Sequence, residues 1–287
     1  MKDSVKMRNI SLIICVAFLS GTIYAPVASA CMICVPYPKI TLADVLEERE
    51  SVILAREKIG KPYSFYAVEV LKGAIDGDDF NAFINSADRR MLSNNLKDVA
   101  VFGKKDSGDE WRYIAYADRE YQAFVREIIL QADSWQKSNG SLRRIDFFAE
   151  RLANSNPRIR DQAYLEVGRA PYSSIKRIAG SIPRQQIREF LANWRLVEWH
   201  SLYILMLGQS RHPDDRAYIR NKLENYAQYQ ITLNLSAWVT AFIESQPDFG
   251  VEEVEKLYFS TRDRTQDELK EVLKGFSVLG SEGGISF

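Results

Sequence analysis

The residues best suited to chemistry are two cysteines three positions apart, Cys31 and Cys34. In an oxidising compartment such a pair can form a disulfide. A redox-active pair would need a helix N-terminus or basic neighbours to lower the thiol pKa. Here residues 35–38 read Val-Pro-Tyr-Pro, and two prolines in four residues do not open a helix cleanly. The sequence therefore favours a structural disulfide or a modified cysteine over a catalytic dithiol.

The residues before Cys31 predict a secretory signal peptide at positions 1–30. A basic start is followed by an apolar run at 10–19 and by Ala28-Ser29-Ala30 directly before Cys31. This is the three-part pattern of an export signal, and the apolar run is shorter than the roughly 20 residues that span a membrane. We therefore expect export, with the mature chain beginning at Cys31.

Cys31 could also carry a lipid. The end of the predicted signal, Ser29-Ala30-Cys31, resembles the lipidation site of bacterial lipoproteins, although Ala28 stands where that site usually has leucine. Lipidation of Cys31 and a disulfide between Cys31 and Cys34 both stay open. The first would give a lipid-anchored protein of the cell envelope, and the second a periplasmic one.

The rest of the chain offers little catalytic chemistry. His200 lies in the apolar segment 194–207, as a core histidine would, and His212 precedes Pro213 at an expected helix start. We find no zinc-protease, serine-hydrolase or phosphate-loop motif, so we predict no catalytic residue, metal or cofactor. Lys and Arg number 38 and Asp and Glu also 38, which argues against a nucleic-acid partner because phosphates require a basic surface.

The chain changes character near residue 120. Before it, short runs rich in Val, Ile, Tyr and Phe are separated by Gly- and Asp-containing turns, which predicts five strands after a helix at Ala43–Glu50. The predicted strands are 51–56, 63–71, 80–84, 98–103 and 111–117. Five short strands with this spacing indicate a small antiparallel barrel or sandwich.

After residue 120 the apolar residues recur at helical spacing. Residues 131–142 look like a linker, and segment 194–207 is apolar nearly all round, so we expect it to be the most buried helix. Gly168 and Gly208 each follow an apolar stripe, where a left-handed glycine would end a helix. Short helices with short links suggest an α-solenoid. We predict an α+β protein with a barrel at 31–120, a helix and linker at 121–142 and a helical domain at 143–287.

Two family resemblances sharpen this fold. Residues 145–226 resemble HEAT repeats, through segments 156–163 and 205–213. Residues 31–118 resemble the netrin-like OB barrel of tissue inhibitors of metalloproteinases, through the cysteine pair, strand 51–56 and the Val70-Leu71-Lys72-Gly73 ending. That family begins with C-x-C and has further cysteines, whereas this chain has C-x-x-C. The resemblance implies an OB-like barrel and, in such inhibitors, zinc chelation by the amine and carbonyl of the N-terminal cysteine, here Cys31.

These observations predict an exported, non-enzymatic protein of the cell envelope that binds a protein partner or serves as a scaffold. Two alternatives remain: an inhibitor of a secreted metalloenzyme acting through Cys31, and an enzyme whose carboxylate site has no sequence signature.

The state of Cys31 and Cys34 can be tested by the intact mass of the protein purified from cell envelopes. We expect the mass of residues 31–287, either with acyl chains or with a gain of two hydrogens on reduction. Acyl chains would exclude inhibition through a free N-terminus, and an unprocessed mass would contradict the signal-peptide prediction.

Overall fold

The structure, a computed structural model, describes residues 33–34, 40–75, 77, 79–106 and 110–280. The predicted signal peptide and Cys31 lie outside the described residues, so export, lipidation and the disulfide stay predictions. The described chain is an α+β protein in which a five-stranded antiparallel sheet is followed by a long series of helices.

The elements follow one another along the chain with short connections. In order they are α1 Leu42–Glu48, β1 Ser51–Lys58, β2 Lys61–Lys72, β3 Asp79–Asn81, α2 Ser86–Asn94, β4 Val99–Lys104, β5 Arg112–Ala117, α3 Arg119–Trp135, α4 Gly140–Ala149, α5 Pro157–Gly168, α6 Tyr172–Ile178, α7 Arg184–Ala192, α8 His200–Leu207, α9 Pro213–Tyr229, α10 Leu235–Ser245, α11 Gly250–Tyr258 and α12 Gln266–Gly280. Two 3-10 turns, Ala179–Ser181 and Trp194–Trp199, precede α7 and α8.

All five predicted strands are present, but the predicted barrel is not closed. The strands lie in the order β3-β2-β1-β4-β5, so β3 and β5 are the two edges of an open sheet. The strand β3 has only three residues and pairs with Ser64–Tyr66 of β2. A barrel requires every strand to be paired on both sides, and so short a strand does not supply a second ladder to β5.

Each face of the sheet packs against different helices. Ile53, Phe65 and Phe102 form a small aromatic core on one face, against which Leu92 of α2 packs. The other face joins the main core of the protein, where α1 and α3 pack. Sequence analysis missed α2 because this helix buries no residue completely and so lacks an apolar stripe that would reveal its period.

The predicted linker at 131–142 is mostly helical. Helix α3 continues to Trp135, and α4 already begins at Gly140. The Trp135 side chain is buried and its ring contacts the rings of Phe147 and Phe148 in α4. This aromatic packing holds the last turn of α3, whose sequence is too polar to predict a helix.

The later helices form a row. Helices α4, α6, α8, α10 and α12 each contact the next member of that series, and their odd-numbered neighbours α5, α7, α9 and α11 pack beside them. Within the predicted segment 194–207, residues 201–207 are all buried, but the segment is not the most buried helix, because α10 buries ten of its eleven residues. The segment is not one helix, however, because Leu196 has non-helical backbone angles and Trp194–Trp199 forms a 3-10 turn.

Gly208 has a packing role rather than the predicted left-handed one. Its φ is −58°, and the described glycines with positive φ are Gly60, Gly73 and Gly77, so Gly168 also departs from the prediction. A Cβ at position 208 would lie 2.7 Å from the Cα of Ala241 in α10. The missing side chain therefore lets α8 and α10 approach closely.

This contact predicts that Gly208→Ala destabilises the protein by about 1–3 kcal/mol, because the added methyl group overpacks the α8–α10 contact. Gly180→Ala is the matched control, since nothing lies within 4 Å of a Cβ there. Urea unfolding of the two variants measures the difference. Equal unfolding free energies would contradict the packing role of Gly208.

Candidate functional site

A charged cluster centred on Arg144 joins the sheet region to the helices. The Arg144 guanidinium of α4 lies 2.6 Å from Asp44 Oδ1, 3.0 Å from Glu47 Oε2 and 2.7 Å from Glu166 Oε1. Arg169 also donates to Asp44, and to Glu166 at 2.8 Å. Because Asp44 and Glu47 belong to α1 while Glu166 belongs to α5, two guanidinium groups tie three helices together.

The cluster is built for structure rather than proton transfer. Burial by itself raises the pKa of Asp44, but hydrogen bonds from Arg169, the Thr41 backbone and Arg144 outweigh it and hold the pKa well below its usual range. Thr41, the N-cap of α1, donates its hydroxyl proton to Glu166. An acid held ionised in this way is a poor proton donor.

Cys34 is the described member of the predicted cysteine pair. It is buried, and its carbonyl accepts a hydrogen bond of 2.8 Å from the Tyr164 hydroxyl of α5. Beside it is a cavity of about 420 Å³ whose wall includes Trp199, Asn234 and Lys274. Ile33 and Cys34 therefore pack against helices that lie more than a hundred positions later in the chain.

The two histidines have structural positions. The Nε2 atom of His200 lies 3.1 Å from the carbonyl oxygens of both Phe190 and Asn193, and burial lowers its pKa. The ring is hydrogen-bonded, as predicted, but it is half-buried at the beginning of α8 and does not lie in the core. His212 is the N-cap of α9, and its Nδ1 accepts a hydrogen bond of 3.2 Å from the Asp214 backbone N–H. This agrees with its predicted place at a helix start.

An open groove of about 690 Å³ lies at the end of the sheet, and we call it the aromatic groove. It lies between the beginnings of β2 and β5 and the segment after β3. Its walls are formed by Tyr63, Asn81, Ala82, Phe83, Asn85, Glu110, Trp111, Arg112 and Tyr113.

One wall of the groove carries two exposed, stacked rings. The rings of Tyr63 and Phe83 are nearly parallel, at 11°, with centroids 6.0 Å apart. Phe83 is 76% exposed, and Tyr63 is 41% exposed. The guanidinium of Arg89, from α2, lies 4.8 Å from the Tyr63 ring centroid. Exposed aromatic rings beside an arginine are typical of binding surfaces, where such side chains supply much of the affinity.

Tyr63 has a strained backbone. Its φ is +61°, a conformation that costs a residue with a side chain about 1–3 kcal/mol. Two hydrogen bonds hold it: its N–H donates to Glu57 Oε1 at 2.6 Å, and its carbonyl accepts from the Ala82 N–H at 3.1 Å. A register shift between Glu57 and Lys58 of β1 gives β2 extra residues at this point. Such bulges change the direction in which side chains point, and this one lies next to Tyr63, which lines the groove.

Trp111 also lines the aromatic groove. Its ring centroid is 5.4 Å from that of Phe80 in β3, and the Lys104 ammonium lies 5.2 Å from the Trp111 ring. The two edge strands of the sheet therefore approach each other through side chains at the floor of the groove, although their backbones do not pair.

Polar side chains beside the groove are joined by hydrogen bonds. Asp88 accepts hydrogen bonds from the Tyr113 hydroxyl and the Asn85 amide, both at 2.7 Å. These two hydrogen bonds fix Tyr113 and Asn85, which both line the groove. Among the described residues no group of three His, Cys, Asp or Glu side chains is arranged to hold a metal ion. Within the same residues, no helix is both long enough and apolar enough to span a membrane.

In comparisons with known proteins, no family model, no curated protein and no solved structure matches the chain. The netrin-like and HEAT-like resemblances therefore stay proposals.

Sequence analysis did not find the aromatic groove. Tyr63, Phe83 and Trp111 lie 20 and 28 positions apart, and each was assigned to a strand. The one available signal was the excess of aromatic residues at strand ends, where they have fewer neighbours in the sheet to cover them. The left-handed backbone of Tyr63 has no signature in the sequence.

The charged cluster predicts a pH-dependent contribution of Asp44. Since its pKa is lower in the folded protein than the value of about 3.9 in an unfolded chain, its stabilising effect is complete above that pH and is lost as pH falls towards the folded pKa. We expect Asp44→Asn to lower the free energy of unfolding by about 2 kcal/mol near neutral pH. The difference between this variant and the wild type should narrow below about pH 4.

Urea unfolding at a series of pH values measures this gap. Asp146→Asn is the control, because its pair with Arg177 is half exposed and such surface pairs contribute little. A gap for Asp44→Asn that stays constant down to about pH 2 would contradict the assigned role.

Proposed function

We propose that this protein is a non-enzymatic binding protein, and that its aromatic groove is the surface that takes the partner. The observation that carries the proposal is the exposed Tyr63–Phe83 stack, which together with Trp111 lines an open cavity of about 690 Å³. Apolar rings left exposed cost solvation free energy, and such patches mark interaction sites.

The strain at Tyr63 supports the same function. A left-handed tyrosine is retained only when the surroundings compensate for it, and strained residues cluster where proteins bind or react. Here Glu57 both accepts from the Tyr63 N–H and binds Arg89, whose guanidinium lies beside the Tyr63 ring. One carboxylate thus holds two elements of the groove wall in place, which gives a preorganised surface.

The helical region supports a scaffold role beside the groove. We propose that the row α4, α6, α8, α10 and α12 is a HEAT-like stack, because each pair contacts mainly its neighbours in sequence, as solenoid repeats do. We likewise propose that the sheet is an opened relative of the netrin-like barrel, since its two edges meet through Phe80 and Trp111. We also propose that the protein is exported, with or without a lipid on Cys31.

The inhibitor hypothesis has a narrower basis, because it depends on Cys31, which lies outside the described residues. The enzyme hypothesis would need an available carboxylate. The best described candidate is Asp161 of α5, whose pKa is raised by burial and, to a lesser degree, by Glu198. It lies outside the walls of the aromatic groove, so we propose no reaction for that groove.

The test is capture of partners from the cell envelope by the full chain and by groove variants. We expect Phe83→Ala and Trp111→Ala to remove the same bound proteins, since truncating an aromatic anchor commonly costs about 2 kcal/mol or more. Quantitative mass spectrometry of the bound fraction provides the measurement.

Leu130→Ala is the matched control, because Leu130 on α3 is 78% exposed, much like Phe83, and lies outside the groove walls. The proposal predicts no loss with this variant. If all three variants retained every bound protein, the groove would not be the binding surface.

A further inference from the structure

We propose that the ligand of the aromatic groove is an extended peptide, which adds as a strand along the edge of β5 between β5 and β3. This inference rests on the proposed binding function and deepens it by naming the chemistry of the ligand.

The first argument is the unpaired edge of the sheet. Within the described residues β5 pairs with β4 on one side and is the last strand in the sheet order. Arg158 of α5 donates to the Tyr116 carbonyl at 3.2 Å, so the C-terminal end of β5 is covered. Its N-terminal end, at Arg112 and Tyr113, forms a wall of the groove. Backbone groups at such an edge are a template for another strand, and strand addition is a common mode of peptide binding.

The second argument is the position of the rings relative to that edge. In a strand, alternate side chains point to the same face. A strand added beside Arg112 and Tyr113 would direct one set of side chains towards Trp111 and Phe80, whose ring centroids are 5.4 Å apart. The stacked rings of Tyr63 and Phe83, which line the same groove, would also cover an apolar residue. Apolar or aromatic side chains in the peptide therefore fit the floor.

The third argument is charge. Glu110 and Arg112 flank Trp111, and both are exposed. The groove mouth thus presents one charge of each sign, which gives no net attraction to a polyanion or a polycation. A peptide with an apolar residue between a basic and an acidic one would complement both charges, and such complementarity favours one register over others.

A saccharide is the competing ligand class, because sugars also stack on aromatic rings. The amide groups that would bind sugar hydroxyls are partly engaged: Asn85 Oδ1 accepts from the Asp88 N–H at 2.9 Å, and Asn85 Nδ2 donates to Asp88 Oδ2 at 2.7 Å. A sugar would also leave the β5 edge unused. The geometry therefore favours a peptide.

The experiment uses the full chain and a displayed library of random peptides of about ten residues, a typical upper strand length. The best enriched peptide is synthesised and its affinity measured by calorimetry. We expect affinity to fall about tenfold or more with Phe83→Ala and with Trp111→Ala, and to be unchanged with Leu130→Ala. Hydrogen exchange should show new protection at whichever of the Arg112 and Tyr113 amides points away from β4, because successive N–H groups of a strand face opposite edges.

Two further measurements separate strand addition from simple apolar contact. Two methylated forms of the peptide are made, one with methyl groups on the odd-numbered backbone nitrogens and one with methyl groups on the even-numbered ones. Only one form should lose binding, because only one set of N–H groups faces the β5 edge and forms the ladder hydrogen bonds. The double variant Glu110→Lys, Arg112→Glu should select peptides with the flanking charges reversed.

A library that yields no enriched peptide, or peptides that bind equally well in both methylated forms, would overturn the inference. So would binding of a chitin oligosaccharide that is lost with Trp111→Ala. Binding of the oligosaccharide would still be consistent with the proposed binding function. Full capture of partners by the Phe83→Ala and Trp111→Ala variants would instead overturn the proposed function itself.

Discussion

The interaction on which the rest of the structure depends is the clamp of Arg144 and Arg169 on Asp44 and Glu166. It fixes α1, the short helix that leads into the sheet, against α4 and α5. Short helices are marginal by themselves, so α1 relies on this contact and on its capping box at Thr41. A buried carboxylate without its partner would be costly, which means that the cluster must form as a unit.

The clamp decides which face of the sheet is covered. With α1 and α3 held against the main core, one face is buried by the helices, while the other receives only α2 and its small aromatic core. The open end of that second face is the aromatic groove.

The fold was predictable where local pattern and final environment agree. The five strands follow from runs of β-branched and aromatic residues between turns, and the buried helix at residues 201–207 follows from its apolar sequence. Helix α2 was missed because its contacts are made through side chains such as Arg89 and the partly buried Leu92, without a continuous stripe. Gly208 was misread because glycine marks helix ends and close helix contacts alike, and only the neighbour Ala241 distinguishes them.

By itself the sequence determined the class of the fold and the position of most elements, since these depend on residue type and spacing within short segments. Tertiary structure decided whether the sheet closes into a barrel, which helices are joined by the Arg144 cluster and where the exposed aromatic rings lie. Those properties depend on side chains far apart in the chain, such as Phe80 with Trp111 and Arg144 with Asp44. Their spacing carries no periodic signal, because the contacts arise only when packing of the helices and the sheet has brought them together.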